Sequence, residues 1–148
     1  MRGLSTLTSI SDDFSHIADF VLVYTEESHP TDKWTFSDRT YDISSHISIE
    51  DRVRATEHLT QLDFPFQMYI DSMENESLRA YAGSNGRIYI IKDNTVLFQG
   101  GVGPFYFKPA EIRQWFDRNI PMAADEDKEE TVCDCKVGVS MTTTETEE

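Results

Sequence analysis

Six consecutive residues, Phe20-Val21-Leu22-Val23-Tyr24-Thr25, are apolar or β-branched without a break. A run with no outward-facing polar position reads as a strand buried on both faces, and such a strand needs a sheet covered by helices. Glu26-Glu27-Ser28-His29-Pro30 follows at once. An ionisable cluster therefore lies just past the carboxyl end of the best candidate for a central strand, where open α/β sheets place their ligands.

The residues around this run supply the other elements. Leu4, Leu7, Ile10, Phe14 and Ile17 recur at three- and four-residue steps and predict an amphipathic helix ahead of the strand. Thr31 to Ser45 has no sustained period and is rich in Asp, Ser and Thr, so it reads as a long loop, with Trp34, Phe36 and Tyr41 as its aromatic content. Ser48-Ile49-Glu50-Asp51 opens a helix with an N-cap serine and acids in the first turn, and Val53, Thr56, Leu59 and Leu62 are expected on its inner face. Pro65 ends it.

Phe66 to Ile70 alternates as a strand does, and Ser72 to Tyr81 reads as a short helix broken by Gly83-Ser84-Asn85-Gly86. Arg87 to Ile91 and Thr95 to Gln99 flank Lys92-Asp93-Asn94 and predict an antiparallel hairpin across a tight Asp-Asn turn. Pro109 suits the first turn of a last helix bearing Ile112, Trp115 and Phe116, stopped by Pro121. This alternation predicts an α/β fold, a mixed sheet flanked by helices on both faces, in the thioredoxin-like order.

With 148 residues and 39% hydrophobic content, the chain suits one domain, predicted over residues 1–122. Residues 123–148 hold nine acidic and two basic residues and few large apolar ones, so they are expected to be a disordered acidic tail. The net charge of -14 repels phosphate backbones and anionic headgroups, which argues against a nucleic-acid partner. No apolar stretch approaches the roughly 20 residues of a membrane span. Met1-Arg2-Gly3-Leu4-Ser5-Thr6 lacks a signal-peptide core. The chain as written is expected to be soluble. Cys133 and Cys135, one residue apart in the tail, are an awkward disulfide and half of a zinc site, so neither staple is expected to hold the fold.

Side chains two apart in an extended segment project to one side, so Glu27 and His29 can share a cleft. A carboxylate beside an imidazole fixes its tautomer and raises its basicity, the usual way to make a proton donor or an anchor for a phenol. The plainer reading is a solvated loop with an incidental ion pair. His46 is the second imidazole candidate. Trp34 and Phe36 suit either stacking on an aromatic ligand or pinning the loop. His16 and His58 fall in predicted helices as structural or surface residues. Asp71 to Asn75 is explained by helix capping. Gly100-Gly101-Val102-Gly103 lacks the Lys-Ser/Thr of a phosphate loop. No metal-ligand pattern or hydrolase triad stands out, and residues 1–122 contain no thiol or selenol for thioredoxin-type chemistry.

The run from Asp13 to Trp34, with Glu26-Glu27-Ser28-His29-Pro30-Thr31-Asp32-Lys33-Trp34 at its end, closely resembles the iodothyronine deiodinases. The likeness continues through Tyr41-Asp42-Ile43 to His46, Asp71-x-Met73-x-Asn75, Tyr81, Arg87-Ile88-Tyr89-Ile90-Ile91 and Gly103-Pro104, over nearly all of residues 1–120. It implies a thioredoxin-like fold and reductive removal of iodine from thyroid hormones by a selenolate or thiolate, with the ring carbon taking up a proton. Glu27, His29 and His46 match the acidic and imidazole residues of that active site. His29 would hold the phenol, and Trp34 would stand beside the pocket. The implied partners are an iodothyronine or related iodinated phenol, a thiol reductant and a second copy in a homodimer. The family uses selenocysteine and needs no separate cofactor or metal. Its full-length members carry an amino-terminal membrane anchor.

Three departures accompany the likeness. The family's Ser-Cys-Thr-Sec-Pro stretch would fall directly before the first helix, ahead of Met1. We therefore expect Met1 to mark a start just past an upstream selenocysteine codon, and the chain as written to be inactive. Asn85-Gly86 stands where Pro-Glu usually precedes the arginine-led strand, and Val102 stands where some relatives place a substrate-clamping arginine. The competing reading is a non-catalytic thioredoxin-like binding module. A third, a thiol redox protein using Cys133 and Cys135, is disfavoured because an acidic tail raises thiol pKa values.

Overall fold

The computed structural model describes residues 2–33, 42–61, 65–120 and 135–141. Its elements follow the order α1 (Arg2–Phe14), β1 (Ala18–Tyr24), α2 (Ile49–Thr60), β2 (Gln67–Ile70), α3 (Glu76–Ala80), β3 (Arg87–Lys92), β4 (Thr95–Gln99), α4 (Ala110–Asn119) and β5 (Cys135–Met141). Five strands form one mixed sheet in the order β2-β1-β5-β3-β4. β1 runs parallel to both β2 and β5, and β3 runs antiparallel to β5 and β4. The fold is α/β and thioredoxin-like.

Local chemistry explains the element boundaries. Ser48 and Asp51 form a reciprocal capping box at the start of α2: the serine hydroxyl accepts the Asp51 N–H at 3.3 Å, and the Asp51 carboxylate accepts the Ser48 N–H at 3.1 Å. The β3–β4 hairpin turns on Asp93 and Asn94, both with positive φ (50° and 57°), the conformation a two-residue turn of this hand requires and these side chains tolerate. The predicted helix from Ser72 shrinks to Glu76–Ala80, because Asn75 takes a left-handed conformation (φ 56°) and the Asp71 carboxylate caps the next residues.

The register assigns faces. Phe20, Leu22 and Tyr24 of β1, Val137 and Val139 of β5, and Ile88 and Ile90 of β3 are in phase and buried. They join Leu7, Ile10 and Phe14 of α1, Ala55 and Leu59 of α2, and Ile112 and Phe116 of α4 in a single core. Phe14 stacks on Phe116 with ring centroids 4.6 Å apart, joining the first and last helices. Val21, Val23 and Tyr89, in the opposite phase, stay outside this cluster, and Tyr81, just past α3, packs edge-on against Tyr89. Three core helices thus cover one face and the short α3 region the other, in keeping with the expectation of helices on both faces. The Cβ of any side chain added at Gly138, at the centre of that second face, would meet nothing within 4 Å.

Two sequence expectations are corrected. Residues 123–148 do not all stand outside the fold, since Cys135–Met141 is the middle strand of the sheet, pairing from Ala18↔Cys135 to Tyr24↔Met141 and from Arg87↔Ser140 to Ile91↔Lys136. The acidic composition of the region hid a seven-residue strand whose Val137 and Val139 reach the core. The inner face of α2 is also rotated by one residue from the reading based on Val53. Arg52, Ala55, Thr56 and Leu59 are buried, while Val53 is 48% exposed. Leu62 lies outside the described residues.

Candidate active site at the carboxyl end of β1

Tyr24, the last residue of β1, is fully buried, and its carbonyl accepts the Asp71 N–H at 2.8 Å, which carries the β1–β2 pairing one step past the strand. From this anchored point the chain passes through the buried Thr25 to Glu26, Glu27, Ser28 and His29. The long loop is tied at its base. Thr31 N–H donates to the Ile43 carbonyl at 2.8 Å, and Ser45 N–H donates to the Asp32 carboxylate at 2.7 Å. These ties run residues 42–48 back alongside residues 25–33, and they bring His46 to the strand end. The Tyr24 hydroxyl lies 3.4 Å from His46 Nε2, and the two rings are 5.7 Å apart between centroids.

Glu27 and His29 share a tight turn in which Glu27 Oε1 accepts the backbone N–H of His29 at 3.2 Å. Burial drives the Glu27 carboxyl up to about 7, against the smaller opposing pull of the His29 and Ser28 N–H groups. Near neutral pH this group exists both as acid and as carboxylate, the condition a proton donor needs. His46 is shifted the other way. Burial first and the Arg52 charge second hold its imidazole below the usual histidine range, against the contrary pull of Asp51 and Glu26. A mostly neutral ring can exchange a proton with the tyrosine hydroxyl beside it.

A second layer supports the first. Arg52 is 2% exposed and donates to the carbonyls of Asp71 at 3.1 Å and Ser72 at 2.6 Å and to the Asn75 side-chain oxygen. Asn75 in turn donates to the Glu26 carboxylate at 2.9 Å. Asp71 is the capping residue its sequence position implied. Burial alone would raise its carboxyl, but the N–H groups of Leu78, Ser77 and Ser72 together hold it below the ordinary carboxylate range.

Of the residues singled out in the sequence, Glu27 and His29 fall together in the turn after β1, and His46 joins the same strand end through Tyr24. Trp34 lies outside the described residues. His58 stands exposed at the end of α2, and His16 is exposed in the turn after α1 rather than within a helix. Tyr24, Glu26, Arg52 and Asn75 escaped the sequence reading. Tyr24 reads as one more core residue of the strand, and Glu26 is out of phase with the Glu27 and His29 pair that the two-residue spacing singles out. The spacing Asp71-x-Met73-x-Asn75 was the one signal that could have drawn attention to Asn75.

The loop departures meet in space. Gly103 N–H donates to the Gly86 carbonyl at 2.9 Å, and a Cβ on Gly103 would sit 1.8 Å from the Asn85 carbonyl oxygen. Only glycine fits so close to another backbone. The Asn85-Gly86 turn and the loop carrying Val102 therefore form one local unit, at the start of β3 where Arg87 pairs with Ser140 of β5. A separate surface cavity of about 320 Å³ opens toward the amino end of β1, lined by Ser11, Ser15, Asp19, Gln67, Tyr69 and Lys136 among others, with no wall from Glu27, His29 or His46. Among the described residues no cluster of three His, Cys, Asp or Glu side chains is arranged to hold a metal ion, and no helix is long and apolar enough to cross a membrane.

The family model for iodothyronine deiodinase matches residues 1–120. The chain is 39% identical over 118 residues to the thyroxine 5-deiodinase of Gallus gallus, an overlap that covers 80% of this chain and 46% of that protein. With the thyroxine 5-deiodinases of Sparus aurata and Homo sapiens the identity is 36% over 118 residues, covering 80% of this chain and 44% and 39% of those proteins. The chain thus spans less than half the length of these relatives. With the match running from α1 through α4 and across every residue of the Tyr24–His46 site, the chain belongs to the iodothyronine deiodinase family.

Proposed function

We propose that this domain serves the reductive deiodination of an iodothyronine, supplying the proton-handling and phenol-holding groups of that reaction. The observation that carries the reading is the Glu27 carboxyl, held half-buried next to His29 and pushed up to about 7, in a chain of this family. Breaking an aryl carbon–iodine bond by attack on iodine leaves the ring carbon needing a proton. A selenolate or thiolate supplies that attack and takes the iodine, and an external thiol supplies the electrons that later release it as iodide. In this reading Glu27 delivers the proton and His29 holds the hormone's phenolic oxygen. His46, kept neutral beside the Tyr24 hydroxyl, can relay the replacement proton from solvent.

Residues 1–122 contain no cysteine, so in this reading the attacking group comes from a segment outside the chain printed here. Positioning groups do not substitute for a missing covalent nucleophile. The test joins an upstream Ser-Cys-Thr-Cys-Pro or selenocysteine-containing segment to Met1 and measures iodide release from thyroxine with a dithiol. The joined protein is expected to release iodide, and Glu27→Ala or His29→Ala to lower the rate by about 10²- to 10⁴-fold, the usual range for a general acid or base. The 148-residue chain alone is expected to release none. Release by the unmodified chain that depends on His29 would overturn this division of labour.

One observation favours a second reading, a non-catalytic hormone-binding module. Asn85-Gly86 and Val102, two of the three departures from the family pattern, belong to one local unit at the sheet end that carries the site. Thyroxine binding without iodide release by the joined protein would select it.

A further inference from the structure

An arginine is among the residues least often buried, yet Arg52 is among the largest fully buried side chains of this chain. Among the described residues its acceptors are two backbone carbonyls and a side-chain amide, all uncharged, and its buried Nε–H has no partner. A neutral donor of similar length could cross-link α2 to the end of β2 without the cost of taking a full charge out of water. Uncharged acceptors leave the cation uncancelled, so its field reaches the ionisable groups around it.

Those groups belong to the site. Asn75 uses its oxygen to accept from Arg52 and its amide nitrogen to donate to Glu26, which joins α2, the left-handed turn before α3 and the residue just past β1 in one relay. His46 is held against the start of α2, since the next two residues, Ile47 and Ser48, each donate their N–H to the Asp51 carboxylate at 3.1 Å and the Ser48 carbonyl accepts the Arg52 N–H at 3.4 Å. Tyr24 from β1 lies on its ring, and the charges that act on it are those of Arg52 and Asp51 from α2 and Glu26 just past β1. We propose that Arg52 is a positioning residue of this site, acting through Asn75 on Glu26 and through its buried charge on His46. Arg52 lies behind the groups that would meet the hormone. Its part is to fix the carboxylate side of the strand end and to oppose the two acids that would otherwise charge His46. That role rests on the deiodinase reading for its purpose, but not for its measurement.

Proton NMR titration of the four histidines in the 148-residue chain tests it, with His→Gln variants assigning the signals. In the unaltered chain His46 is expected to titrate below the usual histidine range. Arg52→Gln, which removes the charge and keeps an amide donor, is expected to raise the His46 midpoint while those of His16 and His58 stay put. Arg52→Lys, which keeps the charge on a different donor head, is expected to leave His46 close to its original midpoint, a rescue that mere packing would not give. Should Arg52→Gln fail to fold, Asn75→Asp keeps the arginine and sets a carboxylate against it. The cancelled charge is again expected to raise the His46 midpoint.

The proposal is overturned by any of three results: His46 titrating within or above the usual histidine range in the unaltered chain, an unmoved or lowered midpoint in a folded Arg52→Gln, or an unmoved midpoint in a folded Asn75→Asp. None of these touches iodide release. Conversely, a nucleophile-restored protein that releases no iodide defeats the deiodinase reading and leaves the coupling of Arg52 to His46 as measured.

Discussion

β1 and β5 lie side by side and parallel at the centre of the sheet, and they are built from opposite kinds of sequence. Phe20-Val21-Leu22-Val23-Tyr24 is apolar at every position, so burial alone commits it to a strand before any partner is chosen. Cys135-Lys136-Val137-Gly138-Val139-Ser140-Met141 offers Val137 and Val139 to the core and sets Gly138 in the opposite phase, within a stretch dominated by acids and threonines. The first strand is specified by its own residues. The second is specified by its slot: β1 and β3 each present a ladder edge to it, and unpaired N–H and C=O groups at the middle of a sheet are costly. A weak strand sequence is thus enough where two strong neighbours need a partner.

Removing one strand at a time puts this to the test. Deleting Cys135–Glu148 would expose the inner edges of both β1 and β3, and is expected to abolish cooperative unfolding, since a total stability of about 5–15 kcal/mol does not survive the loss of a central strand. Urea denaturation followed by tryptophan fluorescence measures it, and a truncated chain with the original midpoint would demote β5 to an ornament. Point truncations are expected to show the asymmetry more finely. Leu22→Ala in β1 should cost about 2–5 kcal/mol and Val139→Ala in β5 about 2 kcal/mol, both being at most 1% exposed. Equal losses would mean that the two strands carry the core alike.

The strand ends differ as well, because the residues following β1 titrate. The folded chain keeps the Glu27 proton up to about 7, whereas the unfolded chain releases it near the ordinary 4.5. Between these values the folded state binds more protons, so its stability is expected to fall as the pH rises through that window, and Glu27→Gln is expected to flatten the decline. Denaturation midpoints at pH 4.5, 6 and 8 read this directly. The smallest effect belongs to the other face of β5. Gly138→Ala meets open space and is expected to stabilise the chain by about 0.5–1 kcal/mol, through reduced backbone freedom in the unfolded state. Destabilisation there would show that the face is covered in solution.

The legible and the illegible parts of the site divide in the same way. Glu27 and His29 could be read because they are two residues apart and follow an unmistakable strand, and Ser48 with Asp51 because a capping box is written in consecutive positions. Arg52 escaped the sequence reading because a helical stripe fixes a face only to within one residue. Val53 seemed the natural inner position, and the tertiary fold turned the charged neighbour inward instead. The contact of Tyr24 with His46, 22 residues apart, depends on loop ties through Thr31, Asp32, Ile43 and Ser45 that no local pattern announces.

The sequence by itself determined β1, the ionisable turn after it, the hairpin turn at Asp93-Asn94 and the capped start of α2, because each follows from residues within a few positions of one another. Only the tertiary structure decided that Cys135–Met141 completes the sheet, that Arg52 lies inside, and that Tyr24, His46, Asn75 and Glu26 converge. Those outcomes draw their free energy from partners distant in the chain. An unpaired sheet edge or a buried cation acquires its significance only once the rest of the fold has closed around it.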